Sequence, residues 1–119
     1  MPNSPEDQLI EIGPLQISPA DHIARAWGHA LMLSVKELNL LTELAKRADR
    51  VVAREELFRL AWHREMRQGD RSVDVYVRRL RVKLERAVPG WRFIHTHFGL
   101  GYRLSPERSQ LPDGTFTTR

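Results

Sequence analysis

Between Arg71 and Arg86 six side chains are cationic (Arg71, Arg78, Arg79, Arg81, Lys83 and Arg86) and only Asp74 and Glu85 are acidic. Arginine at that density is suited to anions, because the guanidinium stays charged and its fork of N–H donors matches a phosphate or the O6/N7 edge of guanine. Spacing decides which way these groups point. Val73, Val77, Leu80 and Leu84 recur at i, i+4, i+7 and i+11, as in a helix with one apolar face. At about 100° per residue, the other side then presents Val75, Arg78, Arg79, Val82 and Arg86. A helix of this kind fits a DNA major groove. Arg79 would donate to guanine and Val75 would touch a thymine methyl. Arg71, Arg78 and Arg81 fall at the edges of the face, where they would meet phosphates and set register without reading sequence. The Ser72 hydroxyl is a further contact of that kind.

A charged helical face is usually only solvated. Here the cations are mostly arginine and lack i,i+4 acids, apart from Asp74 before Arg78 and Glu85 after Arg81. An alternative use is docking to an acidic protein or an anionic membrane, although the polar side lacks the Trp, Phe or Leu that membrane insertion wants. Other motifs are weaker. His95 and His97 share a strand face but have no third ligand nearby in sequence, so no metal is expected. Gly99-Leu-Gly is followed by a strand, not by the helix a dinucleotide site needs. Trp27, Trp62 and Trp91 adjoin apolar runs and read as core packing. No nucleophile has a base beside it, so neither catalysis nor a cofactor is expected.

The elements that must position the helix can be read around it. A chain of 119 residues with 41% hydrophobic side chains supports one α+β domain with tails. Residues 8–106 form that domain, Met1–Asp7 a linker or tail, and Glu107–Arg119 a flexible tail rich in Pro, Ser, Asp and Thr. Across residues 8–33, turn signals separate Ile10/Ile12, Leu15/Ile17, Ile23/Arg25/Trp27 and His29/Leu31/Leu33, each at spacing two, predicting a four-stranded antiparallel meander. Ser34 and Glu37 form a capping box opening a helix over 34–48, with Leu38, Leu41, Leu44, Ala45 and Ala48 on one face. Val51-Val52 is a short link, and 54–62 a second helix whose cap position holds Ala53. The arginine helix spans 72–88, and Phe93–Thr96 with Tyr102–Leu104 make a hairpin over 93–105 turned by Gly99 and Gly101. The chain has no cysteine and no apolar run near the ~18 residues of a membrane span. A cytoplasmic location follows as an expectation, with no membrane partner.

This order of elements, with Leu33-Ser-Val-Lys-Glu37, Val51-Val-Ala-Arg-Glu-Glu-Leu57, Arg71-Ser-Val-Asp-Val-Tyr-Val-Arg-Arg-Leu-Arg-Val-Lys-Leu84 and Gly99-Leu-Gly-Tyr-Arg-Leu104, resembles the C-terminal effector domain of OmpR/PhoB-family response regulators. The likeness runs from about Leu9 to Ser105. It implies a winged helix-turn-helix that binds double-stranded DNA for transcription regulation, with the third helix in the major groove and a wing (Phe98, Gly99, Gly101, Arg103) at the adjacent minor groove. On this chain the family's phosphate positions fall on Arg71, Tyr76, Arg78 and Arg81, and its base-reading positions on Asp74, Val75 and Arg79. The resemblance also implies direct-repeat sites bound by a head-to-tail dimer. It implies RNA polymerase contact through the 63–70 loop (His63, Arg64, Glu65, Arg67), and a sensor kinase acting on a receiver domain absent from this chain. Phe98 stands where the family commonly has arginine, His97 where it has an apolar residue, and Ala53 where it has a capping hydroxyl.

Overall fold

The computed structural model describes residues 8–109; the linker expected at 1–7, and the expected tail from 110 onward, lie outside the described residues. Alternating side chains and tight turns build a meander of β1 (Ile10–Ile12), β2 (Leu15–Ser18), β3 (Ile23–Ala26) and β4 (His29–Ala30), antiparallel in chain order. Register sets the buried face of β3. Leu15 lies opposite Ala26 and Ile17 opposite Ala24, and partners directly opposite share a face. The two alanines are therefore buried, at 2% and 3% exposure, while Ile23 and Arg25 are half-exposed. This reverses the face read from Ile23, Arg25 and Trp27, because small alanines fit over the fully buried Leu15 and Ile17 where larger side chains would crowd. Trp27 leaves the strand altogether at φ 52° and is 60% exposed. It meets Trp91 edge-on at 6.4 Å, at the surface and not in the core expected of it. Leu31 and Leu33 follow β4 as irregular chain packed partly on the core.

Helix α1 (Val35–Lys46) starts at the expected capping box. Ser34 Oγ accepts from Glu37 N–H at 3.2 Å, and Glu37 Oε1 accepts from Ser34 N–H at 2.8 Å. Its buried stripe is Leu40, Leu41, Leu44 and Ala45, with Leu38 and Ala48 only partly covered. The stripe is turned from the expected one because other elements pack on α1 from several sides. Beyond it come β5 (Val51–Val52), α2 (Arg54–Trp62) and α3 (Ser72–Ala87). Helix α2 has no side-chain cap bond at Ala53 and ends on His63 in the left-handed conformation. The arginine helix α3 buries Val73, Val77, Leu80 and Leu84 as its period requires, and Asp70 caps it by accepting Ser72 N–H at 2.7 Å.

The hairpin is longer than its sequence pattern. Strands β6 (Trp91–His97) and β7 (Gly101–Arg108) extend through Glu107 and Arg108, which the composition assigns to a tail, and Arg92 bonds Glu107 across the strands at 3.3 Å. Val51-Val52 is no mere link. It pairs with Arg103 and Tyr102 to give a second sheet of order β5-β7-β6. Two residues of strand have no periodicity to read, so only long-range pairing reveals β5.

One cation of the arginine helix serves the fold. Lys83 Nζ reaches back to Glu37 Oε1 at 2.7 Å and to the Met32 carbonyl at 3.0 Å, tying α3 to the capped end of α1. Burial pushes the Glu37 carboxyl up, but the Lys83 ammonium and the Ser34 N–H outweigh it and hold the group below its usual value. A depressed folded pKa gives stability that is present above the unfolded value and lost as pH falls through the folded one. Lys83→Met is therefore expected to cost roughly 1–3 kcal/mol at pH 7, and less at a pH acid enough to protonate Glu37. Urea unfolding at the two pH values measures the difference; equal losses would refute the coupling.

Candidate nucleic-acid interface

The outward face of α3 keeps Arg78, Arg79 and Arg86 exposed, and among the described residues none of the three makes an ion pair. Arg79 is nonetheless supported. Its guanidinium lies 5.0 Å over the Tyr76 ring, Tyr76 meets Trp62 edge-on at 5.5 Å, and Trp62 stacks on Phe58 at 4.7 Å. This aromatic ladder runs from the core of α2 to the arginine and limits its rotamers. Val75 sits half-buried one turn earlier. The ladder was not legible in sequence, although Tyr76 and Arg79 at i, i+3 were a signal for its last rung.

The N-terminal turn of α3 is organised around Asp74. Its carboxylate accepts from Tyr102 Oη at 2.5 Å, Arg54 Nε at 3.2 Å and Arg71 Nη1 at 3.4 Å. Burial raises the Asp74 pKa, but the Tyr102 hydroxyl and the Arg54 and Arg71 cations outweigh that and hold it low. Burial and then the Asp74 bond push the Tyr102 phenol up to about 12. The carboxylate expected at a base edge is thus shared among α2, α3 and β7. Arg54, which lies in no sequence pattern that marks it, also donates to the Asp70 carbonyl at 3.4 Å. Arg71 remains largely exposed beyond its long bond, and Ser72 is half-buried at the first helical position.

Arg81 is turned inward toward the hairpin. Nε and Nη2 donate to the Ile94 carbonyl at 3.2 and 3.0 Å, Nη2 also to Thr96 Oγ1 at 2.5 Å, and the guanidinium lies 5.6 Å from the Tyr102 ring centre. Burial lowers its pKa from the usual arginine value. Arg81 therefore fixes the position of β6 against α3 and protects a carbonyl on the sheet's outer strand.

The wing tip is the loop Phe98-Gly99-Leu100, closed by Leu100 N–H to the His97 carbonyl at 2.8 Å. Phe98 is 92% exposed and Leu100 66%. Behind them Arg103 Nε donates to His97 Nε2 at 3.0 Å. A cleft of 340 Å³ lies between the tip and the start of α3, lined by Arg54, Arg71, Asp74, Phe98, Leu100 and Tyr102. His95 is engaged with the Ser105 carbonyl at 2.9 Å, and among the described residues no group of three or more His, Asp or Glu is placed to hold a metal. In the 63–70 loop, His63, Arg64, Glu65 and Arg67 are exposed while Met66 packs on the core and Arg64 covers the Phe58 ring at 4.8 Å. No helix among the described residues is long and apolar enough to cross a membrane.

Three helices on a four-stranded sheet, the last helix offering arginines beside a β-hairpin, define a winged helix-turn-helix DNA-binding domain. Residues 28–104 match the family described as transcriptional regulatory protein, C terminal, and the chain belongs to that family, in its OmpR/PhoB branch. It is a DNA-binding regulator domain and not an enzyme. The sensory transduction protein RegX3 of Mycobacterium leprae is 34% identical over 98 residues, covering 82% of this chain and 50% of that protein. The DNA-binding domain of CpxR from E. coli superposes with a TM-score of 0.75 at 28% identity, covering 82% of this chain and 96% of that one. The Klebsiella pneumoniae RstA DNA-binding domain, solved in complex with the RstA box, gives 0.73 at 31% identity, covering 82% and 97%. The chain spans half or less of the length of the curated relatives it matches.

Proposed function

We propose that this domain is the output half of a cytoplasmic two-component response regulator and reads a specific duplex sequence with α3. The observation that carries the reading is the adjacent exposed pair Arg78 and Arg79, free of ion pairs among the described residues, with Arg79 braced by the aromatic ladder. Arg79 and Val75 contact bases; Arg71, Ser72, Tyr76 and Arg78 contact phosphates. Arg81 and Asp74 act through others, Arg81 by holding β6 and Asp74 by holding Arg71 and Tyr102. The relation to RstA, whose domain was solved with its box, supports duplex DNA as the partner. Direct-repeat sites, head-to-tail pairing, polymerase contact by the exposed side chains of the 63–70 loop, and a sensor kinase acting through a receiver domain on the same regulator complete the proposal.

The test is a salt titration on duplexes selected from a random pool. Each neutralised phosphate should add about −0.9 to the slope of log affinity against log salt. Arg78→Ala should weaken all sequences and flatten that slope by about one phosphate, whereas Arg79→Ala should relax discrimination at one base step by ~1–3 kcal/mol. A salt-insensitive affinity contradicts the proposal, and the opposite pattern for the two arginines reverses their roles.

A further inference from the structure

The geometry points to the wing tip as an apolar wedge that enters the minor groove beside the helix-bound major groove and opens one base step there. This rests on the DNA-binding reading above and adds a local distortion of the duplex to it. Phe98 at 92% and Leu100 at 66% exposure are two large apolar side chains two residues apart on one hairpin end, at odds with water and unsupported by any core. The end is stiff. His97 pairs with Gly101, the Leu100 N–H closes the loop, and a Cβ at Gly99 would meet nothing within 4 Å, so the tip projects into open space.

Its place relative to the helix fixes what it meets. Phe98 and Leu100 line the same cleft as Arg54, Glu55 and Arg71. The tip thus stands across this cleft from the start of the recognition helix. A hairpin standing beside a helix seated in the major groove faces the phosphate ridge and the minor groove beyond it. Apolar side chains gain nothing from phosphates. What the minor groove offers them is sugar edges and the stacked faces of bases, which Phe and Leu reach by prying a step apart. Arg71, largely exposed at the lining of the same cleft, supplies charge for the backbone beside the wedge.

Unstacking is cheapest at flexible pyrimidine–purine steps. Duplexes selected by the unaltered chain should therefore contain TA or CA/TG where the wing lands, and 2-aminopurine placed at that step should brighten on binding. Phe98→Ala should abolish the brightening and weaken binding on the order of tenfold, Phe98→Trp should keep both, and Phe98→Arg should move the flanking preference to narrow A-tracts. Exposure of Phe98 leaves the fold untouched by these changes, which thermal unfolding verifies. Binding with a dark probe, or an unchanged signal in Phe98→Ala, overturns the wedge alone. No duplex binding by the unaltered chain overturns the DNA reading and the wedge together.

Discussion

Gly101→Ala is expected to destabilise the domain by at least about 3 kcal/mol. A Cβ at Gly101 would stand 2.0 Å from the Val52 carbonyl oxygen and 2.7 Å from its carbon, both backbone atoms that no side-chain rotation can clear. The φ of 153° is itself unusual for an L residue. Relief requires β7 to move off β5, and Tyr102, paired with Val52, would move with it. The loss should therefore spread from the sheet to the start of α3 through Tyr102 and Asp74. Gly99→Ala is the control. It has positive φ but open space around it, so only the left-handed penalty of ~1–2 kcal/mol applies. Urea unfolding of the two variants should separate them clearly. Equal and small losses would mean that β5 is not held as described.

Asp74→Ala should have the second large effect, removing the shared acceptor of Tyr102, Arg54 and Arg71. The phenol is left in a buried setting without its partner, which costs about 1–3 kcal/mol. Arg71 loses its tether and DNA affinity should fall for all sequences. Asp74→Asn keeps an acceptor for the phenol but not the charge, so it should recover most of the stability and little of the arginine anchoring. Acid should reproduce the loss in the unaltered chain. The folded Asp74 pKa is depressed, so its stabilising contribution exists above the unfolded carboxylate value and disappears as pH falls through the lower folded one. Selection of bound duplexes against each variant is the decisive measurement. Loss of discrimination at one base pair, with unchanged stability, would make Asp74 a base reader and not a positioning residue.

The buried face of α3 is set by local pattern. Val73, Val77, Leu80 and Leu84 recur at the helical period, and one helix turning one face to a core is a local fact that tertiary contacts only ratified. The same holds for the Ser34–Glu37 box, whose two bonds lie within one turn. Strand β3 shows the opposite. Ile23 and Arg25 alternate as plausibly as Ala24 and Ala26, and the choice fell to the alanines because Leu15 and Ile17 lie opposite them.

Charge divides in the same way. Composition alone located a cationic segment, since six basic residues among sixteen lie within one helix-length stretch. It could not say which of them face outward as free cations. Lys83 bonds Glu37 46 positions away and Arg81 bonds Ile94 13 away, and pairings at such separation leave no periodic trace. The arginine helix and its glycine-turned hairpin were thus determined by the sequence, because capping, apolar period and turn chemistry act between near neighbours. The tertiary structure decided which arginines remain free, that Asp74 joins three elements, and that Phe98 stands at an open tip, because those follow from long-range packing and register.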